Sequence, residues 1–479
     1  MSEAITTTMP QTDAAAPAAR RPSRSFIRMV LSNTMIRWGA RLGVAWIAVM
    51  VFSAVFAPFL ANSHPLLMKQ DGVISSPLLK HLTINDVLIL IAAGLAILTL
   101  TMRRIAFSAR VLAYACVLLA LIPAAWWHES LVHFFTRLSF SEHGEQVRPL
   151  VAWGVSGLLT AYIVVMGVLI YKLVRSPSLT LPWKIVTLAL AAGLMVLFLV
   201  KPHQPPRLVE YDRYRVMAKA GSIEWKIHTP IPFSPSDRLR DQPQMQSQPP
   251  DATHWMGTTN LGADLAANMI YASRIALSIG FISTGIALII GIIIGGMMGY
   301  YSGWVDLLGM RLVEIFSAIP TLILLLAFVA AFGANLYIIM VIIGLTGWVG
   351  DAVFVRAEFL RLRNQDFVQA ARALGLPLRS ILFRHMLPNG VAPLLVSASF
   401  GVAGAIQSES VLSFLGIGLK DEASWGRLLN DALGSSGTFY WWLAFYPGFA
   451  IFITVLAYNL IGEALRDAID PHLQKAAHL

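Results

Sequence analysis

Ten apolar runs constrain this chain more than any other feature. They lie at about 42–61, 84–101, 107–127, 150–171 and 184–200, and after a polar segment at about 272–299, 312–332, 336–355, 391–415 and 441–462. Crossing about 30 Å of hydrocarbon takes roughly 20 apolar residues in a helix, and most of the runs approach that length. Only 13% of the 479 residues are charged and the mean hydropathy is +0.66. A soluble domain carries nearer a quarter charged residues. The chain therefore reads as an all-α, polytopic integral membrane protein with about ten transmembrane helices.

Lysine and arginine in the short connections orient the spans. With the N-terminus in the cytoplasm, Arg20, Arg21, Arg24, Arg28 and Arg37 fall inside. So do Arg103 and Arg104, then Lys172, Arg175 and Lys184, then Arg356, Arg361, Arg363, Arg372, Arg379 and Arg384. The opposite connections, 128–149, 202–264 and 416–440, offset their basic residues with acidic ones. An even number of spans returns the C-terminus to the cytoplasm. The net charge of +10 thus reads as membrane orientation rather than nucleic-acid affinity. Residues 1–37 read as a disordered basic tail without a removable signal peptide. Cys116, the one cysteine, leaves no internal disulfide and reads as a small buried hydrophobe. The external segment 202–264 is Pro-rich. Ile223, Trp225 and Ile227 alternate with Glu224, Lys226 and His228, which allows one short strand. The rest reads as extended, either a spacer or a docking surface for an external partner.

A polar island at 360–389 separates two late spans. Asp366 is placed to cap a short helix, with Gln369 completing a capping box. Gly375 suits the left-handed position that ends a helix, and Pro377 prevents continuation. A second short helix is expected over about 378–387, ending at Pro388 and Asn389. Phe367, Ala370, Ala371 and Leu374 fall on one face by helical spacing, with Arg372 and Arg379 towards water. On local chemistry alone this is a helical cytoplasmic loop. Gln369-Ala370-Ala371, Gly375 and Leu387-Pro388 also resemble the cytoplasmic "EAA" loop of ABC-transporter permease subunits, at the family's spacing. Gln369 stands where that family has Glu, and His385 where it has Ile.

The resemblance extends further. His254-Trp255-Met256-Gly257-Thr258-Thr259-Asn260-Leu261-Gly262-Ala263-Asp264, running into Tyr271-Ala272-Ser273-Arg274, is similar to the opening of the core in dipeptide/oligopeptide/nickel permeases of the C-type subunit. Thr259 replaces an Asp there, and Ala263 an Arg. Glu409-Ser410-Val411-Leu412-Ser413-Phe414-Leu415-Gly416, Ser424-Trp425-Gly426 and Ala464-Leu465-Arg466-Asp467-Ala468-Ile469-Asp470-Pro471 are similar to the same subfamily. The match covers roughly 254–473 and the first span at 38–61. It implies a permease core at 265–473, with a four-helix insert at 84–200 that the family lacks. The insert reads either as peripheral packing or as a separate lateral binding surface. The resemblance also implies a bacterial inner-membrane location, a second permease subunit, an external solute-binding protein and cytoplasmic ABC ATPase subunits. No Gly-x-x-x-x-Gly-Lys-Ser/Thr occurs in the chain, so no cofactor is expected here and ATP is used by the partners. The implied function is alternating-access import of short peptides or similar small solutes. A secondary transporter would need charge at the bilayer midplane, and a membrane enzyme would need a catalytic cluster; little of either is visible.

Gly291, Gly295 and Gly299 form a ridge that admits a close helix neighbour, within the chain or across a dimer seam. Gln407 and Glu409 are polar groups in the ninth span, and Glu409 can line an external gate or cap the helix end. Asp351 can reach the inner interface, and Glu463 reads as solvated. His128 and His133 have poor spacing for a metal. Trp126, Trp127, Trp441 and Trp442 suit interfacial belts.

Overall fold

The structure is a computed structural model. It describes residues 30, 32–102, 105–126, 160, 162–177, 179–200, 209–418, 422–434 and 437–469. Arg20, Arg21, Arg24, Arg28, Arg103, Arg104, Trp127, His128, His133, Asp470 and Pro471 lie outside the described residues, as does the start of the fourth apolar run.

The first span is α1 (Trp38–Leu60). A hairpin follows, β1 (Leu67–Gln70) and β2 (Val73–Ser75), then the short helix α2 (Pro77–His81). The next four helices are α3 (Ile84–Thr101), α4 (Phe107–Trp126), α5 (162–175) and α6 (Leu181–Val200). The long polar segment holds α7 (Arg213–Lys219) and β3 (Trp225–Ile227). The remaining helices are α8 (Leu265–Tyr301), α9 (Gly303–Ala318), α10 (Thr321–Phe332), α11 (Leu336–Leu362), α12 (Asp366–Ala373), α13 (Leu378–Ser380), α14 (Leu387–Phe414), α15 (Trp425–Asp431) and α16 (Trp441–Ile469).

Among the described residues, six helices are long and apolar enough to cross a membrane, or seven if the bent pair α9–α10 is one span. The run expected as one continuous span at 312–332 is broken, because α9 and α10 meet at 82°. Pro320, which has no N–H to offer, sits at the break. The expectation of an all-α fold is also amended. β1 pairs antiparallel with both β2 and β3, in the order β2-β1-β3.

Side-chain contacts fix the direction of each helix. α8 and α11 run parallel: Ser283 Oγ donates to the Met340 carbonyl at 2.8 Å, Gly291 abuts Asp351 and Gly299 abuts Phe359. α14 returns against both, placing Gly401 beside Thr284 and Val402 beside Gly280. α1 and α16 are antiparallel, with Trp46 Nε1 donating to Thr454 Oγ1 at 2.9 Å and Gly39 against Leu460. Residues 60, 264, 336, 414 and 441 therefore gather at one end, the cap end. Residues 38, 301, 362, 387 and 469 gather at the other, the loop end.

The interior of this bundle is apolar. Met50, Leu265, Ile406, Leu428 and Leu443 form one cluster, and Ile279, Leu325, Ile339 and Leu412 another. Helices α3–α6 have clusters of their own: Ala109, Cys116, Leu173 and Leu179 in one, and Val117, Ala120 and Ala191 in another. Arg274 ties α3 to the bundle. Its Nη1 donates to Asp86 Oδ1 at 2.5 Å, and its Nε donates to the Ala54 carbonyl of α1 at 2.9 Å. That carbonyl is free because Pro58, four residues on in α1, has no N–H to give it.

The long polar segment is not extended in the way its prolines suggest; it folds into a cap. Ala61, Ile231, Phe233, Leu239 and Ala266 form a small core beneath it. Arg215 on α7 donates to both carboxylates of the 237–241 turn: to Asp237 Oδ2 at 2.5 Å and Asp241 Oδ1 at 2.8 Å. Ser63 Oγ donates to the same Asp237 at 2.5 Å, which fastens the end of α1 to this cap.

Candidate functional site

The loop end carries the site. α11 ends at Leu362, and Gln365 stands in the capping position of α12 without a side-chain bond. The expected cap at Asp366 is therefore corrected: Asp366 is the first helical residue, where its charge faces the helix N-terminus. The capping box does not form. Gln369 turns back instead, and its Nε2 donates to the Arg363 carbonyl at 3.0 Å. A glutamate could not make that bond, so the amide at this position has a local role of its own.

The other end of α12 follows expectation. Gly375 is left-handed at φ +68. Its N–H reaches the Arg372 carbonyl at 2.9 Å, and the Leu376 N–H reaches Ala371 at 3.2 Å. These are the paired bonds of a Schellman motif, which satisfies two orphan carbonyls and holds the bend. Leu376 then packs inward beside Val368, Ala371, Phe359 and Met386.

The face assigned to α12 divides. Ala371 is 3% exposed and Val368 fully buried against the bundle. Phe367, Ala370 and Leu374 point away, and Leu374 is 79% exposed. Helical spacing at i, i+3 and i+7 makes these three an outward apolar stripe. Arg372 does not simply reach into water; its guanidinium lies 4.6 Å from the Tyr300 ring centroid, tying α12 to the end of α8.

The second short helix is also corrected. α13 lasts one turn, and residues Ile381–Met386 form a π-helix that passes directly into α14. Leu387 N–H bonds Leu382 O, five residues back. Widening the turn gives the Pro388 ring room where an α-turn would set it against a carbonyl. Pro388 thus lies in the first turn of α14 and does not stop the helix. Asn389 Nδ2 donates to the His385 carbonyl at 2.7 Å, which spans the same region.

Behind the loop, Gly291, Gly295 and Gly299 lie along α11 of the same chain. A Cβ on Gly291 would sit 2.6 Å from Asp351 Cβ, one on Gly299 2.6 Å from Phe359 Cβ, and one on Gly295 would run into the Ala352 carbonyl. Asp351 is held between α11 and α14, where Ser397 Oγ donates to its carboxylate. Arg356 of α11 forks onto Asp306 of α9. Glu358 and Arg361 pair at 2.5 Å on the exposed side.

Gln407 and Glu409 do not form one lining. Gln407 is exposed, whereas Glu409 is 2% exposed inside the chain. Its Oε1 accepts from Ser413 Oγ at 2.6 Å, and Ser424 is a second hydroxyl partner. The carboxylate is thus enclosed by two hydroxyls near the end of α14, away from the exposed Gln407. Gly426 lies against the Ser410 backbone. The Glu409–Gly416 and Ser424–Gly426 motifs therefore meet in space. Glu463 is exposed. Trp441 is exposed, but Trp442 is buried and donates to the Thr258 carbonyl at 3.1 Å, so it is no belt residue.

The 254–264 motif builds the start of α8. Asp264 caps it, accepting from Ala267 N at 2.8 Å, and its other oxygen contacts His254 Nδ1 at 2.8 Å, with both side chains buried. Asn260 Nδ2 donates to the Asp431 carbonyl at 2.7 Å. Beside this knot lies a cleft of about 1490 Å³ between the cap, α3 and α8, lined among others by His64, Asp86, Tyr211, Tyr271, Arg274 and Tyr337. At its edge His64 stacks on His81, with ring centroids 3.9 Å apart. Asn62 Oδ1 is 3.0 Å from His64 Nδ1. Burial, and then the neighbouring His81, pull the His64 pKa down to about 4. Sequence reasoning missed the Asp86–Arg274 pair and the hairpin. Thr83-x-x-Asp86 is a capping-box pattern, and Asp71-Gly72 is a hairpin turn signal.

Comparison with known proteins bears on these same regions. Residues 291–475 match the family model "Binding-protein-dependent transport system inner membrane component". The chain is 37% identical over 246 residues to the dipeptide transport system permease protein DppC of Bacillus subtilis, covering 51% of this chain and 77% of that one. It is 38% identical to the oligopeptide transport system permease protein OppC of Haemophilus influenzae, over 50% of this chain and 77% of that one. It is 32% identical to the glutathione transport system permease protein GsiD of Pectobacterium atrosepticum, over 63% of this chain and 95% of that one. The chain belongs to the inner membrane components of binding-protein-dependent transport systems, and is a multi-pass permease subunit of the ABC importer class.

Proposed function

We propose that this permease imports short peptides or chemically similar small solutes by alternating access, with α12 receiving the force of a separate ATPase. The observation that carries the reading is the outward stripe Phe367–Ala370–Leu374 on a helix locked at its far end by a Schellman motif. An exposed apolar stripe outside the bilayer costs hydration unless a partner covers it. A short helix held by Tyr300, Phe359 and Met386 passes a push into α8, α11 and α14 as rigid-body motion.

The fuller reading has ten spans with both termini cytoplasmic and the cap outside. The chain pairs with a second, related permease, two cytoplasmic ATPase domains that use the ATP, and an external solute-binding protein. Peptide-type cargo is supported by the names of the relatives.

Leu374→Asp tests the coupling. Leu374 touches little of its own chain, so the fold should survive the change. Loss of one central apolar anchor from an interface lowers affinity by about tenfold or more. Co-purification of the ATPase in mild detergent should fall accordingly, with transport lost while the permease remains in the membrane. Undiminished ATPase recovery and transport would remove α12 from the coupling role.

A further inference from the structure

The small sheet of the cap is inverted. In the pairing register Leu67 lies opposite Ile227, and Lys69 lies opposite both Ile74 and Trp225. Side chains alternate along a strand, so Leu67, Lys69, Ile74, Trp225 and Ile227 share one face. Met68 lies on the other face, at 5% exposure, against the protein. The face of Leu67 and Lys69 is open and mostly apolar: Leu67 is 39%, Ile74 62%, Trp225 40% and Ile227 50% exposed, while on the face of Met68 the edge residues Val73 and Lys226 are also exposed. Directly opposed residues lie about 5 Å apart across a ladder, so these four side chains form one patch. Lys69 pairs with Glu224 at 2.6 Å towards the hairpin turn, where Gly72 N also donates to that carboxylate.

We infer that this face lies on the membrane surface, with its apolar side chains in the headgroup–acyl boundary. The occupant is argued from how the sheet is tethered. β1 begins at Leu67, soon after the candidate span α1 ends at Leu60, and β2 ends at Ser75, shortly before the candidate span α3 begins at Ile84. Short connections therefore join both ends of the hairpin to helices long and apolar enough to cross a membrane. The link from β2 to α3 continues the patch. Leu79 on α2 is 50% exposed, and Lys80 follows it. Tryptophan, branched aliphatics and lysine stems form the composition of interfacial contacts, where the apolar parts enter and the charges stay at headgroup level. The sheet thus extends, beyond the bundle, the apolar surface that α1 and α3 already present to lipid.

The test is a photo-crosslink in cells carrying the whole transport system. Benzoylphenylalanine replaces Ile74, Trp225 or Ile227 in turn, all of them exposed and tolerant of a large ring. A fourth variant replaces Phe52, on the lipid-exposed side of α1, as a positive control. Mass spectrometry of the purified chain reads the adduct. Phospholipid adducts at the sheet positions, at a yield within a few-fold of Phe52, are the expected result. An adduct with another protein chain would make this a protein-docking face and overturn the inference. So would no adduct at any of the three positions while Phe52 reacts.

Discussion

Glycine means opposite things in two parts of this membrane bundle. On α8, Gly291, Gly295 and Gly299 touch α11 so closely that an added methyl group meets backbone or Cβ atoms. On the insert, a Cβ added to Gly94, Gly167 or Gly193 would have nothing within 4 Å among the described residues. Without water between helices, association in a bilayer rests on close packing and on buried polar links. The core has both. The insert has its own clusters around Cys116 and Val117, and its most specific tie to the core is the Asp86–Arg274 pair. The core is thus a jigsaw, whereas the insert's described residues meet it through a smaller junction centred on the Asp86–Arg274 pair.

Cutting that tie should have the largest effect. Asp86 Oδ2 accepts from Thr83 N and Oγ1 while Oδ1 holds Arg274. Asp86→Ala removes the N3 half of the capping box and takes the carboxylate from a largely buried guanidinium, a loss on the order of 3–5 kcal/mol. Asp86→Asn keeps an acceptor for the cap and should cost clearly less. Unfolding of the purified protein in a denaturing-detergent titration measures both. Equal, negligible losses would show that the insert does not depend on this pair.

The unequal legibility of the chain follows the same division. The spans of the core were readable because hydropathy alone reports them, and the loop motif because Gly375 and the Leu-Pro pair demand particular backbone. The split of the α12 face was not readable. Helical spacing places Ala371 with Phe367, Ala370 and Leu374, and only the position of α12 against Phe359 and Met386 decides that Ala371 turns in. The depth of Glu409 was equally hidden, since Ser424 comes from a later segment. The hairpin was legible and was overlooked. Asp71 and Gly72 both take positive φ, the two-residue turn that an Asp-Gly pair favours.

A methyl group tests the jigsaw directly. Gly295→Ala should push α8 from α11, because the new Cβ meets the Ala352 carbonyl. Overpacking of this kind costs about 1–3 kcal/mol. The same titration should show it, together with weaker transport, since α11 leads into the coupling loop. Wild-type stability would mean that the two helices part more readily than their contacts indicate.

Acid should loosen the insert's anchorage before it disturbs the core. His64 stacks on His81, which ends α2 just ahead of α3, with Tyr211 and Tyr214 around the pair and Asp237 nearby. In the folded chain His64 takes a proton only near pH 4, whereas its ordinary value is 6.5. Between those values the unfolded chain binds more protons. The stability is therefore complete above 6.5 and declines as pH falls, by at most about 1.4 kcal/mol per pH unit for this group. His228, likewise drawn down to about 4 by burial, adds a loss of the same sign. Melting temperatures at pH 7.5 and 5.5 should differ less in His64→Gln than in the parent; an unchanged difference would separate the stack from the acid response.

The smallest effect completes the contrast. Gly193→Ala repeats the methyl addition on α6, where the site is open. There the new Cβ meets no atom among the described residues, and alanine loses less backbone entropy than glycine in a helix interior, worth about 0.5 kcal/mol in favour of the variant. The denaturing-detergent midpoint should stay level or rise slightly, opposite in sign to Gly295→Ala. A clear loss at this position would mean that α6 meets a close neighbour in the assembled membrane complex, and the insert would then be a packed interface rather than a lipid-facing bundle.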